Sequence, residues 1–331
     1  MIEDENQLID VSVVMITYGH ENYIRDAIEG VKSQEFSGVI ELLISNDKSP
    51  DKTDEVISEY ISNNNIPSNI IVRYFNQEDN LGMTENFNFL LRQVRGKYLA
   101  FCEGDDYWID TKKIQKQFDI LEADSSLGLV STNVNILKVD GNFLENVIGT
   151  DSYPVLLDFE SFLKWRGYMA PCSWLMRSKV FFEIYDYEHI TSDGSFFIFC
   201  SILATSKVHF LEDTTSVYRI LEESASHSKN VIKNIERELG LYGTEKYLVS
   251  KFESKFQANG IKEFILNRHI QALATIVFNK KNRSLEGEFY LRQHYPIYWD
   301  SIETELNHII KMHYLPRRVF NKILTLIKLK K

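Results

Sequence analysis

The sequence predicts an α/β protein in which a mostly parallel sheet is covered by helices and followed by a helical C-terminal region. In the first part of the chain, short apolar runs alternate with segments whose apolar residues recur at helical spacing. Such alternation is typical of parallel strands joined by helices. From about residue 228 onward the spacing is helical, and 331 residues suffice for one large domain with an extension.

Three strand and helix units and then a fourth strand are predicted in order. The strands lie at 11–17, 39–45, 70–75 and 97–102. The first helix is expected behind an N-cap at Asn22. The helices between the strands present the apolar residues Tyr23, Ile24, Ala27, Ile28 and Val31, then Val56, Ile57, Tyr60 and Ile61, then Phe87, Leu90, Leu91 and Val94. Farther on we expect a strand at 127–139, a helix at 158–165, a strand leading into a helix at 172–181, and a strand at 207–220.

Composition excludes several classes of protein. A hydrophobic content of 44% with 25% charged residues is ordinary for a globular enzyme and not for a disordered chain. Cys102, Cys172 and Cys200 are far apart, which predicts neither a disulfide framework nor a zinc site and fits a reducing cytoplasm. The acidic N-terminus does not resemble a signal peptide, and no apolar run has the length of a membrane span, so we expect neither export nor spanning.

The net charge of −10 is unevenly distributed. Residues 311–331 hold seven Lys or Arg and no acid, which leaves −10 minus 7, or −17, for the rest. An acidic body argues against nucleic acid as a partner. Residues 312–331 predict a basic amphipathic helix, with Phe320, Ile323, Leu324 and Ile327 on one face. An anionic membrane attracts such a segment by about 1 kcal/mol per basic residue; docking on the acidic body is the alternative.

Polar loops follow each of the four predicted strands. In open parallel sheets, ligands bind beyond the carboxyl ends of the strands, so chemistry is expected in these loops. In the last loop, Asp105 and Asp106 repel each other unless a cation neutralises them. Mg²⁺ and Mn²⁺ take oxygen ligands, often one or two carboxylates plus substrate phosphates. Taken alone, the pair is more simply explained as a cap of the helix predicted near Asp110, and only its context favours a metal.

That context consists of four motifs in order. They are VSVVMITY at 11–18, LISNDKSPDKT at 43–53, NLG at 80–82 followed by Asn86, and GKYLAFCEGDD at 96–106. Together they resemble the signature of family 2 glycosyltransferases of the bacterial polysaccharide or glycan-assembly type, over roughly residues 10 to 225. The resemblance implies the GT-A fold, a Rossmann-like mostly parallel sheet flanked by helices. It implies a nucleotide-sugar-binding and catalytic domain at 1–225 and a helical C-terminal region at 226–331.

Position by position, the resemblance implies a nucleotide-sugar site. Thr17 and Tyr18 line the nucleotide pocket, with the Tyr18 ring against the base. Asp47 hydrogen-bonds the base, because a pyrimidine imide N–H is a donor that a carboxylate accepts. The Asp that often precedes it in the family is Asn46 here. Asn80 lies beside the nucleotide-sugar or is simply a turn residue.

The same resemblance assigns the metal and the base. Asp105 is implied to contact the ribose or sugar, and Asp106 to bind Mn²⁺ or Mg²⁺ bridging the two phosphates. Asp193 matches the general base that takes the proton of the acceptor hydroxyl in an inverting displacement. Ser192 stands before it where many relatives have Glu, and Asp193 is alternatively a plain N-cap of the helix that follows.

Three further residues are candidates by the same resemblance. Trp174 lies in the stretch that forms the floor of the sugar and acceptor pocket, and either stacks on a sugar or belongs to the core. Arg219 lies in a segment similar to the family's Y-R-x-H and is expected near the sugar or acceptor. Leu221 stands where the histidine often lies, so His227 is the nearest candidate for a further metal ligand, or a solvated loop residue.

The implied function is inverting transfer of a sugar from a nucleoside-diphosphate sugar, a UDP-sugar first, to a hydroxyl of a glycan or lipid-linked glycan. We expect a cytoplasmic protein, peripheral on the inner face of the membrane if residues 312–331 bind it. A sugar nucleotidyltransferase would need a Gly-rich, Arg-containing loop after the first strand, and a dehydrogenase a G-x-G-x-x-G; neither is present. The remaining alternative is a catalytically silent nucleotide-binding or membrane-associated scaffold of the same fold.

Overall fold

The computed structural model describes residues 8–63, 65–186, 193–221, 230–256, 260–279 and 282–314. The strands are β1 Val11–Thr17, β2 Ile40–Asn46, β3 Ile70–Asn76, β4 Tyr98–Phe101, β5 Tyr107–Trp108, β6 Leu127–Leu137, β7 Phe143–Leu144, β8 Leu175–Arg177, β9 Lys207–Arg219, β10 Phe278–Asn279 and β11 Asn282–Arg283. The helices are α1 Ile24–Lys32, α2 Thr53–Asn63, α3 Met83–Leu91, α4 Lys113–Ala123, α5 Phe159–Trp165, α6 Ser178–Ile184, α7 Gly194–Thr205, α8 Val231–Lys251, α9 Ile261–Val277, α10 Leu285–His294 and α11 Pro296–Tyr314, with 3-10 turns at Pro171–Ser173 and Glu253–Lys255.

The main sheet has the strand order β3-β2-β1-β4-β8-β6-β9-β5, with β7 paired to β6. Strands β1 to β4 are parallel to one another, whereas β8 runs antiparallel to both of its neighbours, β4 and β6. The predicted α/β class, the flanking helices and the helical C-terminal region are confirmed. The sheet is more mixed than predicted because β8 and β5 reverse direction within it.

The apolar residues of the first unit form the core around the parallel strands. Every residue of β1 except Ile16 is buried, which explains its continuous apolar run. Of the five residues predicted at helical spacing, Ile24, Ala27, Ile28 and Val31 are buried in α1, whereas Tyr23 is partly exposed and is itself the N-cap, in place of the predicted Asn22. The inward face of this helix is therefore confirmed, and the helix begins one residue later than predicted.

The register of the parallel strands brings their carboxyl ends to one edge. Thr17 at the end of β1 pairs with Asn46 at the end of β2, and Asn46 pairs with Asn76 at the end of β3. Strand β4 ends at Phe101, opposite Val14, and its loop continues to the same edge. The four polar loops that the sequence singles out therefore leave the sheet side by side.

The chain divides into two compact units. One comprises Met1–Tyr187 with Ser195–Leu221, and the other Glu188–Gly194 with Glu222–Lys331. The second unit has its own apolar core of residues from α8 to α11, including Ile235, Leu273, Leu291, Trp299 and Leu306. Among the residues that the structure describes, no helix combines the length and apolar character needed to cross a lipid bilayer.

Candidate functional site

The loops after β1 and β2 are fastened to each other by backbone N–H groups. Gly19 donates to Ser49 Oγ at 3.0 Å, and His20 donates to Thr53 Oγ1 at 2.9 Å. Gly19 has φ +73°, a conformation that glycine adopts without strain. Tyr18, next to it, is 50% exposed. The loop is thus held by its backbone while the Tyr18 side chain stays accessible at the edge of the sheet.

Asp47 fastens the loop after β3. Its Oδ1 accepts the N–H of Leu81 at 2.6 Å, and its Oδ2 accepts that of Gly82 at 3.0 Å. The Asn80 side-chain amide donates to the Asp47 carbonyl oxygen at 3.1 Å. Asp47 is only 3% exposed, so its carboxylate orders the Asn80–Gly82 loop, and each oxygen retains a second lone pair for another donor.

Asn46, which departs from the family's frequent Asp, both donates and accepts. Its Nδ2 donates to Asn76 Oδ1 at 3.1 Å, and its Oδ1 accepts the N–H of Ser49 at 3.2 Å. The Asn46 amide thus joins the loop after β2 to the end of β3 through one donated and one accepted hydrogen bond.

The loop after β4 carries the acids. A Cβ on Gly104 would lie 2.6 Å from Thr17 Oγ1 and 2.8 Å from His20 Nδ1, so only glycine lets the turn approach β1 this closely. The turn then presents Asp105, which is partly exposed, and Asp106, which is 2% exposed. The predicted acid pair thus lies beside the end of β1, not at the start of α4, which begins seven residues later at Lys113.

The electrostatics of this turn favour a cation. Burial, with the nearby Asp105 and Glu103 carboxylates, raises the pKa of Asp106 well above its usual range. Burial and then Asp105 raise the pKa of Glu103 to about 7. Burial lowers the pKa of His20 despite the attraction of Asp105. Acids crowded in this way are stabilised by a positive charge, and their hard oxygen atoms suit Mg²⁺ or Mn²⁺.

A metal at this site would draw only part of its coordination from the protein. In the part of the chain that the structure describes, no group of three or more His, Cys, Asp or Glu side chains is placed to hold a metal ion. Mg²⁺ and Mn²⁺ are often held by one or two carboxylates together with substrate phosphates and water. The donor set around Asp106 fits that mode of binding.

Arg219 lies against the acid turn because β5 and β9 are antiparallel. Tyr107 pairs with Val217, so Arg219, two residues beyond Val217, comes opposite Asp105. The backbone N–H of Arg219 donates to Asp106 Oδ1 at 2.9 Å. The guanidinium Nη1 of the Arg219 side chain donates to the backbone carbonyl oxygen of Asp105 at 2.8 Å. The structure thus brings Arg219 to the acid turn; a contact between Arg219 and the sugar or acceptor stays a prediction.

Trp174 lies in the core. It has no exposed surface, and its indole ring packs 6.2 Å from the Phe101 ring and 5.4 Å from the Phe199 ring. The sequence left two alternatives, a ring that stacks on a sugar and a ring that belongs to the core. In this structure Trp174 belongs to the core, and its ring has no face open to a sugar. An apolar aromatic residue gives the same sequence signal in both cases.

Asp193 and His227 lie in a part of the chain that the structure describes incompletely. Asp193 comes directly before α7, and its Oδ2 is 3.5 Å from Arg237 Nη2. His227 lies outside the described residues, as do residues 315–331 of the basic segment. The base, the further metal ligand and the membrane-binding tail therefore stay predictions.

Three site residues have no place in the sequence prediction. Glu103 is the third acid of the turn. It is visible in the pattern EGDD, but the sequence prediction considered only the Asp105–Asp106 pair. His20 approaches Thr17 Oγ1 at 3.1 Å, and its position in the loop after β1 was the only hint. Asp26 contacts Arg219, which is 193 positions away in the sequence, so no local sequence pattern predicts this contact.

An α/β sheet with acids and polar loops gathered at the carboxyl ends of its parallel strands is typical of the class of open α/β proteins that bind a ligand at that edge. The family model for glycosyl transferase family 2 matches residues 12–181, just over half of the 331 residues. The chain belongs to that family. The match includes the loops after all four parallel strands and ends before Asp193.

Relatives of known sequence match part of the chain. An uncharacterised protein of Mycobacterium tuberculosis is 36% identical over 131 residues, which is 40% of this chain and 37% of that protein. An uncharacterised glycosyltransferase of Methanocaldococcus jannaschii is 29% identical over 213 residues, 63% of this chain and 70% of the relative. The alignment thus spans little more than a third of the mycobacterial protein.

Solved structures share the fold. TarS of S. aureus in complex with UDP-GlcNAc has a TM-score of 0.55 at 14% identity, covering 91% of this chain and 92% of that one. The mannosyltransferase PcManGT from Pyrobaculum calidifontis, in complex with GDP-Man and Mn²⁺, has a TM-score of 0.58 at 14% identity, covering 98% and 81%. The GT-A fold implied by the motifs is confirmed.

Proposed function

We propose that this protein is a metal-assisted, inverting glycosyltransferase. Its donor is a nucleoside-diphosphate sugar, a UDP-sugar first, and its acceptor is a hydroxyl of a glycan or lipid-linked glycan. The observation that carries the proposal is the acid turn at Asp105–Asp106, which shares one sheet edge with Tyr18 and the Asp47-bound loop. Family membership and structural neighbours bound to UDP-GlcNAc or GDP-Man support it.

The base of the nucleotide would bind between the loops after β1 and β2. The half-exposed Tyr18 ring offers a flat surface for stacking. Asp47 would accept the imide N–H of uracil with a lone pair not used by Leu81 or Gly82. Asn80, held by Asp47, would then lie beside the donor.

The diphosphate and sugar would lie over the acid turn. Asp106 would hold the divalent ion, which would supply positive charge against the departing diphosphate. Asp105, more exposed than Asp106, would hydrogen-bond the ribose or the donor sugar. In both contacts the protein provides carboxylate oxygens, which fit both a hard cation and sugar hydroxyl donors.

Asp193 would act as general base. As the acceptor oxygen forms its bond to the anomeric carbon, the hydroxyl proton passes to the Asp193 carboxylate. The bond from the anomeric carbon to the diphosphate oxygen breaks on the opposite face, and its electron pair leaves with the nucleoside diphosphate. The configuration at that carbon is therefore inverted.

A donor panel tests this function. We expect one nucleoside-diphosphate sugar to release its nucleoside diphosphate in the presence of Mn²⁺ and a glycan or lipid-linked acceptor. Asp193→Asn should abolish transfer and leave affinity for the nucleoside diphosphate nearly unchanged. Asp158→Asn is the matched control, because Asp158 caps α5 with its side chain as Asp193 would cap α7.

The outcomes separate the enzyme from a silent scaffold. Full activity of Asp193→Asn would remove Asp193 from the mechanism. Nucleotide binding with no release from any donor would favour the catalytically silent nucleotide-binding protein.

A further inference from the structure

Arg219 is the buried cation of the acid turn. It is 7% exposed, and its Nη2 donates to Asp26 Oδ2 at 2.6 Å while Nη1 donates to the Asp105 carbonyl oxygen. Asp26 lies in the first turn of α1, with its side chain 53% exposed. One guanidinium therefore joins α1 to the backbone of the acid turn.

Two aromatic rings pack against the guanidinium. The Arg219 Cζ lies 4.2 Å from the ring centroid of Tyr107 and 5.2 Å from that of Tyr23. Tyr107 follows the acid turn directly, and Tyr23 precedes α1. Packed against two rings and hydrogen-bonded to two oxygen atoms, the side chain has little freedom to turn toward another partner.

The positive charge of Arg219 has two opposite effects, one on the acids of the turn and one on a bound metal ion. Glu103, Asp105 and Asp106 lie within four consecutive residues, and the Arg219 guanidinium, hydrogen-bonded to the Asp105 carbonyl oxygen, is a cation beside them that can offset their mutual repulsion. The same positive charge would repel a divalent ion at Asp106. Asp26 offsets this second effect, because its carboxylate neutralises the guanidinium from the side of α1.

We propose that Asp26 and Arg219 form a clamp that holds the Asp105–Asp106 turn in its metal-binding shape and neutralises its own charge toward the metal. The proposal rests on the proposed function, since it concerns the metal site of that function. Asp26 is a positioning residue: it acts through Arg219 on the turn. Neither the motifs of the family nor the loops at the strand ends include it.

Mn²⁺ affinity in the presence of UDP, measured by titration calorimetry, tests the clamp without a catalytic assay. Loss of an outer partner of a metal ligand weakens metal affinity by about 10- to 100-fold. For Asp26→Asn we expect the lower end, about tenfold, because the amide keeps the shape but leaves the guanidinium charge uncompensated. Asp26→Glu should restore most of the affinity, since the longer carboxylate is on an exposed part of α1.

A matched control separates the clamp from a general effect of removing an acid. Asp119→Asn changes an exposed aspartate of α4 that contacts Gln115, and it should leave Mn²⁺ affinity unchanged. If Asp26→Asn and Asp119→Asn unfold at the same temperature as the unmodified chain, the fold of both variants is intact.

The outcomes distinguish the two proposals. If the unmodified chain binds UDP with Mn²⁺ and Asp26→Asn binds Mn²⁺ equally well, the clamp is overturned and the proposed function stands. If the unmodified chain shows no Mn²⁺ dependence, the metal role in the proposed function is overturned, and the clamp with it.

Discussion

Tyr18 is the residue at which the proposed nucleotide site is easiest to probe. Its ring is half exposed, and the loop around it is held by backbone N–H groups of Gly19 and His20, not by the ring. Replacing the side chain therefore removes a contact surface without removing a support of the fold. Asp47 and Asp106 are different, because both are buried and hydrogen-bonded to the backbone of another segment, Asp47 to Leu81 and Asp106 to Arg219 of β9.

Tyr18→Ala should weaken binding of UDP by about 1–3 kcal/mol, the usual contribution of one base stacked on an aromatic ring. Tyr18→Phe keeps the ring and should bind UDP like the unmodified chain. Titration calorimetry with UDP and Mn²⁺ measures both. Equal affinity of the alanine variant would place the base elsewhere.

Helix α4 begins with a buried lysine. Lys113 Nζ donates to Gln117 Oε1 at 2.6 Å and lies 4.7 Å from the ring centroid of Trp108. Gln117 in turn donates to the carbonyl oxygen of Ser173 at 2.8 Å. Helix α4 is thus joined to the chain segment before β8 through a buried polar chain. A buried charge is costly, so the protonation of Lys113 should affect stability.

Burial lowers the pKa of Lys113 from 10.5 to about 7. Between these values the unfolded chain binds more protons than the folded one, so the free energy of unfolding rises with pH across that window, by up to about 1.4 kcal/mol per unit. Lys113→Met should lose this rise, and Lys112→Met, an exposed neighbour, should keep it. Urea unfolding at about pH 7 and about pH 9 measures the difference.

The outcome that contradicts this account is specific. If the unmodified chain and Lys113→Met gain the same free energy of unfolding over that pH range, the lysine is charged in the folded protein throughout it. The hydrogen bond to Gln117 and the Trp108 ring would then suffice to keep the ammonium buried.

At the scale of the whole molecule, the parallel strands and the helical C-terminal region were predictable, whereas the antiparallel pairing of β8 was not. Strand β1 lies at Val11–Thr17 as predicted, because a strand buried on both faces must be apolar along its length. The antiparallel insertion of β8 between β4 and β6 has no local signal, since it depends on partners far away in sequence. Short apolar strands look alike whichever way they run.

The candidate site divides in the same way. Tyr18, Asp47 and the acid turn follow strands and carry a motif, so the sequence brings them to one edge. Asp26 reaches the site through Arg219, and that pair spans 193 positions. Contacts between side chains of distant elements are a property of the folded chain and not of any segment.

The central claim is that the acid turn binds a nucleoside diphosphate through a divalent ion, and calorimetry with UDP tests it most directly. The account predicts UDP binding in Mn²⁺ that is lost when a chelator removes the metal, and equally lost in Asp106→Asn with Mn²⁺ present. GDP titrated in the same way reports whether the site prefers uracil. Equal affinity for UDP with metal, with chelator and in Asp106→Asn would contradict the claim.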